Sequence, residues 1–227
     1  QSSISQILTN NTNVVQTVTY TVTPKSGACT GATFTVTVTV NPKPKIGNQT
    51  ATICSGDVFT VTPANSQPAT IVPSNTLYTW TVAANANVTG QSDQPAGQTT
   101  ISQTLTNNTN TPQDVVYTVT PKSGSCTGLT FTVTVTVNPR PKIGNQTATI
   151  CGGTVFTVAP VNAQPTTIVP SNTLYTWTVA ANANVSGQSN QTIGQSSISQ
   201  TLTNLTVTPQ DVVYTVTPKS GNCEGLS

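Results

Sequence analysis

The sequence predicts an all-β chain of tandem β-sandwich domains arranged end to end. Three observations predict it. The string NPKPKIGNQTATIC, ending at Cys54, returns as NPRPKIGNQTATIC at Cys151, and the same offset of 97 positions relates Trp80 to Trp177 and Tyr20 to Tyr117 to Tyr214. Short runs rich in Val, Thr and aromatics alternate apolar with polar, the period of a half-buried strand. Gly, Pro, Asn and Ser punctuate these runs at short intervals, and no window carries a helical period. A fixed period of this kind means repeated structural units. Residues 1–43 read as the C-terminal part of a preceding copy, 44–140 as one complete copy, and 141–227 as a third copy without its last strand. Residues 44–130 and 141–227 differ at 17 of 87 aligned positions with no insertion. The chain therefore reads as a window on a longer protein. A unit of this size can bury its own core.

The complete copy yields its strands in order. Gln49–Ile53 is the first, strand A. Val58–Pro63 follows the Ser55-Gly56-Asp57 turn as strand B. Ala64–Ser74 is an irregular connection punctuated by proline, and Thr76–Ala83 is strand C, with Tyr78, Trp80 and Val82 on one face. Asn85–Gly97 is a polar loop with room for one short edge strand. Gln98–Thr106 is strand E, with Ile101 and Leu105 inward, and 107–112 is a turn. Asp114–Thr120 is strand F, with Val115, Tyr117 and Val119 inward. A hairpin loop containing Cys126 leads to strand G, Leu129–Val137, whose Phe131, Val133, Val135 and Val137 share one face and whose threonines share the other. About seven such strands build two packed sheets. Trp80 and Tyr78 could be a sugar-stacking platform, but their alternation with Val82 marks them as core. The outward Thr ladder of strand G is the ordinary solvent face of a soluble strand rather than an ice- or crystal-binding array.

Each copy carries a cysteine after TATI (Cys54, Cys151) and one in the loop after TVTPKSG (Cys29, Cys126, Cys223). With no His and no CxxC, zinc is a poor reading and disulfides a good one. The expected pairs lie within copies, Cys54–Cys126 and Cys151–Cys223, with the partner of Cys29 upstream of the chain. The first would tie the start of strand B to the F–G hairpin at one end of the domain. Copies are joined by NPKPK or NPRPK, where two prolines in four residues fix the backbone and make a short semi-rigid link. Lys43, Lys122 and Arg140 beside prolines read as gatekeepers flanking aggregation-prone Val-Thr strands.

Composition excludes several functions. Charged residues are 5% of the chain, against about 25% in ordinary domains. A net charge of +2, scattered, makes no phosphate-binding footprint, so no nucleic-acid partner is expected. No apolar run approaches membrane-spanning length, and no membrane insertion is expected. The absence of His removes the commonest general base, and Asp114 and Asp211 are the only acids that recur between copies. No catalytic residue, cofactor or metal site is expected. Calcium in particular needs six to eight oxygens with several carboxylates, and the junctions offer proline and lysine. A Lys–Asn isopeptide from Lys45 or Lys142 has no evident partner. Asn48, Asn87 and Asn145 open N-x-T triplets that become glycosylation sites only in a host with that machinery.

The succession TICSGDVFTVTP, LYTWTV, ISQTLTN, VVYTVTPKSGSCTG and FTVTVTVNPKP resembles, over the whole chain, the PKD-like repeats of giant secreted surface proteins of Bacteroidota. These are similar to gliding-motility adhesins exported by the type IX secretion system. The resemblance implies an Ig-like sandwich, an extracellular, cell-surface location and an adhesive or filament-forming parent. The chain departs from the better-known PKD domains, which carry a WDFGDG-like turn where Trp80 is followed by TVAANAN. The functional expectation is a structural stalk that projects a binding region lying outside this chain. Alternatives are a self-assembling extracellular filament subunit and a glycan- or protein-binding module. Expected partners are adjacent repeats of the same chain, like chains in a bundle, and a surface glycan or protein held by the outside region. Near-identity of copies favours the stalk, because spacers need only fold and stack.

Overall fold

In a computed structural model, which describes residues 2–225, the chain is built from strands and turns. The first copy contributes β1 (Gln16–Val22), β2 (Lys25–Ser26), β3 (Cys29–Thr30) and β4 (Phe34–Val40). The second contributes β5 (Gln49–Cys54), β6 (Val58–Val61), β7 (Leu77–Val82), β8 (Val88–Thr89), β9 (Gln94–Gln98), β10 (Ile101–Thr104), β11 (Thr106–Asn107), β12 (Gln113–Ser123), β13 (Cys126–Thr127) and β14 (Phe131–Asn138). The third contributes β15 (Thr154–Val158), β16 (Leu174–Val179), β17 (Val185–Ser186), β18 (Gln191–Gln195), β19 (Ile198–Asn204), β20 (Tyr214–Ser220) and β21 (Cys223–Glu224). The end of the third copy, where the missing-strand expectation falls, includes residues 226–227, outside the described residues.

The complete copy is a two-layer sandwich. One sheet runs β5-β14-β12-β7-β9; the facing layer pairs β6 with β10 and β8 with β11. Alternation decides which side chains enter the core. Val133, Val135 and Val137 of β14 and Val115, Tyr117 and Val119 of β12 are all fully buried, and Phe59, Ile101 and Leu105 meet them from the other layer. Each such aliphatic or aromatic side chain contributes about 1.5–3 kcal/mol of burial free energy. Tyr117 packs against Phe59 at a tilt of 47° with ring centroids 5.2 Å apart, and Tyr78 meets Phe131 edge-on at 6.4 Å. Trp80 is buried and donates its indole N–H to the Ser92 carbonyl at 3.2 Å. Trp80 and Tyr78 are therefore core, as the alternation indicates.

Two differences from the sequence reading matter. The expected strand E, Gln98–Thr106, is broken into β10 and β11, and its first residue instead ends β9, an edge strand drawn mostly from the 85–97 loop that pairs with β7 in the other sheet. The second concerns β5, which pairs with β14 in parallel, Gln49 opposite Val133 and Cys54 opposite Asn138. Asn48 fixes the start of this pairing, its side-chain oxygen accepting from the Thr132 amide at 2.9 Å. Cys54 thus lies at the end of the copy where β14 finishes. The β12–β14 hairpin that carries Cys126 lies at the end where β14 begins.

That geometry corrects the expected disulfides. From the hairpin to Asn138 is about 24 Å along the strand, whereas bridged cysteines need Cα atoms within about 7 Å. Cys54 is bonded instead to Cys223 of the next copy, with Cα atoms 5.5 Å apart and a sequence separation of 169. Cys126 and Cys151, expected to pair with Cys54 and Cys223 respectively, are not bonded to them, and Cys29 is likewise unbridged within this chain. The bridge runs between copies rather than within them.

Candidate functional site at the junction between copies

The link from the second copy to the third is Pro139-Arg140-Pro141-Lys142. Lys142 exchanges backbone hydrogen bonds with Ile168, and Lys45 does the same with Ile71 one copy earlier, so each link is seated on its own domain. The F–G hairpin closes over it. The Gly225 amide donates to the Pro218 carbonyl at 2.8 Å, and a Cβ on Gly225 would press against Pro141 and Pro218. Gly128 stands in the same relation to Pro44 and Pro121. Glycine is required there because hairpin and link lie in contact. The hairpin cysteine is thereby held at the head of its domain, facing the copy before it.

On the other side of the junction, Cys54 leads into a tight turn. Gly56 adopts φ +88°, a conformation that favours glycine, and donates to the Leu105 carbonyl at 2.8 Å. Ser55 is buried: its hydroxyl donates to the Asn107 carbonyl at 3.1 Å and accepts from the Asn107 amide at 2.9 Å. Asn107 is 1% exposed. Its Nδ2 donates to the Thr111 and Val137 carbonyls at 2.7 and 2.9 Å, and its Oδ1 accepts from the amide and hydroxyl of Thr109, both at 2.8 Å. The turn 107–112 is thus pinned to the end of β14. Asn10 repeats this arrangement in the first copy, donating to Val14 and Val40. The sequence reading passed over Asn107 as a turn residue. The recurrence of Asn at positions 10, 107 and 204 was the available signal.

Arg140 spans the junction beside the disulfide. Its Nε donates to the Ser55 carbonyl at 2.9 Å, Nη1 to the Glu224 carbonyl at 2.9 Å, and Nη2 to the Asp57 carboxylate at 2.7 Å. One planar guanidinium thereby joins the foot of the second copy to the head of the third, a geometry that lysine cannot reproduce. The residue read as a gatekeeper also clamps the junction. A second contact repeats at both junctions: Gln67 donates to Asn13 at 2.6 Å, and Gln164 to Asn110 at 2.7 Å. Each pair lies 97 residues from the other, so the two junctions meet through the same surfaces.

Among the described residues, no group of three or more His, Cys, Asp or Glu comes together that could hold a metal ion. The four tyrosines whose phenols are held above their ordinary range are Tyr78, Tyr117, Tyr175 and Tyr214, each by burial. Tyr117 and Tyr214 donate to Gln103 and Gln200, which makes them core anchors. Lys45 and Lys142 donate to the carbonyls of Pro68 and Pro165, not to a carboxylate or amide that an isopeptide would need. No helix among the described residues is long and apolar enough to cross a membrane.

Sandwich domains that spend their specific contacts on one another define a class: an all-β structural repeat. The chain belongs to the PKD-like domain family, which matches residues 1–44, 51–141 and 148–227. Domains of this family occur in extracellular, adhesion-type proteins and are generally non-catalytic structural modules. A disulfide accords with an extracellular, oxidising setting. No curated protein matches the chain.

Proposed function

We propose that these repeats are stalk segments of a long secreted bacterial cell-surface adhesin, projecting a binding region that lies outside this chain. The observation that carries the reading is the junction. A rigid proline link, a disulfide and the Arg140 clamp meet at one interface, and the Gln–Asn contact recurs at both. Polar contacts that recur with the repeat serve stacking rather than recognition of a varied ligand. The copies, divided at residues 44 and 141, are the units that stack, and each copy's chief partner is its neighbour. The alternating strands add about 40 Å of length per copy, from eight-residue strands at about 3.4 Å per residue plus loops. Small-angle scattering on arrays of two, three and four whole copies tests the reading. Maximum dimension should rise linearly by about that amount per copy in a monomer. Compact particles, or polymers forming with concentration from complete copies, would overturn it.

A further inference from the structure

The strand order and the bridge together fix where tension travels. The chain enters the second copy at Pro44 and crosses to its far end along β5, which lies beside β14 in parallel register. Cys54 stands at that far end, bonded to Cys223 at the head of the third copy. The backbone from Pro44 to Cys54 is therefore already drawn out: its ten steps span about 34 Å at strand rise, close to the length of the copy. All that follows, from Ser55 to Asn222, hangs from this path as a closed loop.

We infer that the Cys54–Cys223 bridge is a mechanical bypass. Tension applied along the chain passes down β5, across the sulfur–sulfur bond and out through the third copy's F–G hairpin. Strands β6 to β20, which include both tryptophan-centred cores, carry none of it. A bridge within one copy, Cys54–Cys126, would shield only part of the second domain and leave the third in series. The bridge between copies removes both from the load. Arg140 and the Gln164–Asn110 contact hold the same two surfaces together, so the path across the junction has no slack to take up before the covalent bond bears load. The inference deepens the stalk reading and rests on it for its purpose, since a projecting spacer under shear must not lengthen by unfolding.

The test is single-molecule stretching of the full chain held by its two ends. In the oxidised chain, only residues outside the loop can be released, at most about 200 Å of contour at about 3.4 Å per residue. A phosphine reductant, which supplies the two electrons that with two protons convert the disulfide to two thiols, should add about 570 Å for the 169-residue separation. Cys54→Ser should show the longer contour without reductant. This readout holds whether or not the variant folds, because contour is measured on the extended chain. Equal contours before and after reduction would overturn the bypass. So would an increment of about 245 Å, the signature of a loop from Cys54 to Cys126. Failure here is separable from failure of the stalk reading. An elongated particle with equal contours keeps the stalk and removes the bypass, and a compact particle with the 570 Å increment does the reverse.

Discussion

Replacing Asn107 by alanine isolates the contact that pins the E–F turn to the end of β14. The substitution removes two donated and two accepted hydrogen bonds. Thr109 and Thr111 sit near solvent, so water recovers much of their loss, about 0.5 kcal/mol each remaining. The Val137 carbonyl stays opposite Gln113 in the β12–β14 ladder, so it loses one donor, about 1 kcal/mol. The expected destabilisation of the second copy is about 2 kcal/mol, a large share of the stability of one domain. Asn204 holds the equivalent turn of the third copy, donating to the Thr208 carbonyl and accepting from Thr206. Asn204→Ala should cost about 1 kcal/mol through these bonds. Each of these two copies has one tryptophan, so urea unfolding followed by fluorescence in Trp177→Phe and Trp80→Phe backgrounds reads the second and third copies separately. A cost below about 1 kcal/mol at Asn107 would refute the account of the pinned turn.

Arg140→Lys should weaken the junction by about 1 kcal/mol or less, because the guanidinium and Asp57 side chains are 32% and 50% exposed; the urea midpoint of the third copy reports it, and no change would show that the three-way contact is idle. Stability should also fall at high pH. The buried Tyr117 phenol is held above its ordinary value, so the folded state keeps a proton that the unfolded chain releases. The contribution is complete below about pH 10, the unfolded pKa, and is lost as pH rises beyond it toward the folded pKa. Urea midpoints at about pH 9, 10 and 11 should decline, and Tyr117→Phe should flatten the decline in the second copy; a flat wild-type profile would contradict the assignment.

The fold was legible wherever one face of a strand packs. In β7, β12 and β14 the apolar residues fall on every second position, and those side chains are the buried ones. Segment 94–98 was legible only as room for one short edge strand, not as a placed one. QPAGQ shows no alternation because it is a half-exposed edge strand whose place is set by pairing with β7. The cysteine pairing failed for a related reason. Spacing gives two cysteines per copy, but which ends of the sandwich they occupy depends on the direction of β5 against β14. Direction is a property of the whole sheet and leaves no periodic trace in six residues. The clamp made by Arg140 left no trace in the sequence because its partners, Ser55, Asp57 and Glu224, are more than eighty positions away and two of the three bonds go to backbone carbonyls.

The sequence separation of the bridged cysteines exceeds the repeat period, 169 against 97. A ring closed at one junction therefore reaches past the starting point of the next. In an array that copied this junction throughout, successive rings would overlap like shingles, and every peptide bond would lie inside at least one of them. A protease that cut one bond would open a ring without parting the chain, since the ends would remain joined through sulfur. In the present chain the same holds for any cut between Cys54 and Cys223. Such an array would survive its first nick, and parting its ends would take reduction of the bridge in addition to the cut.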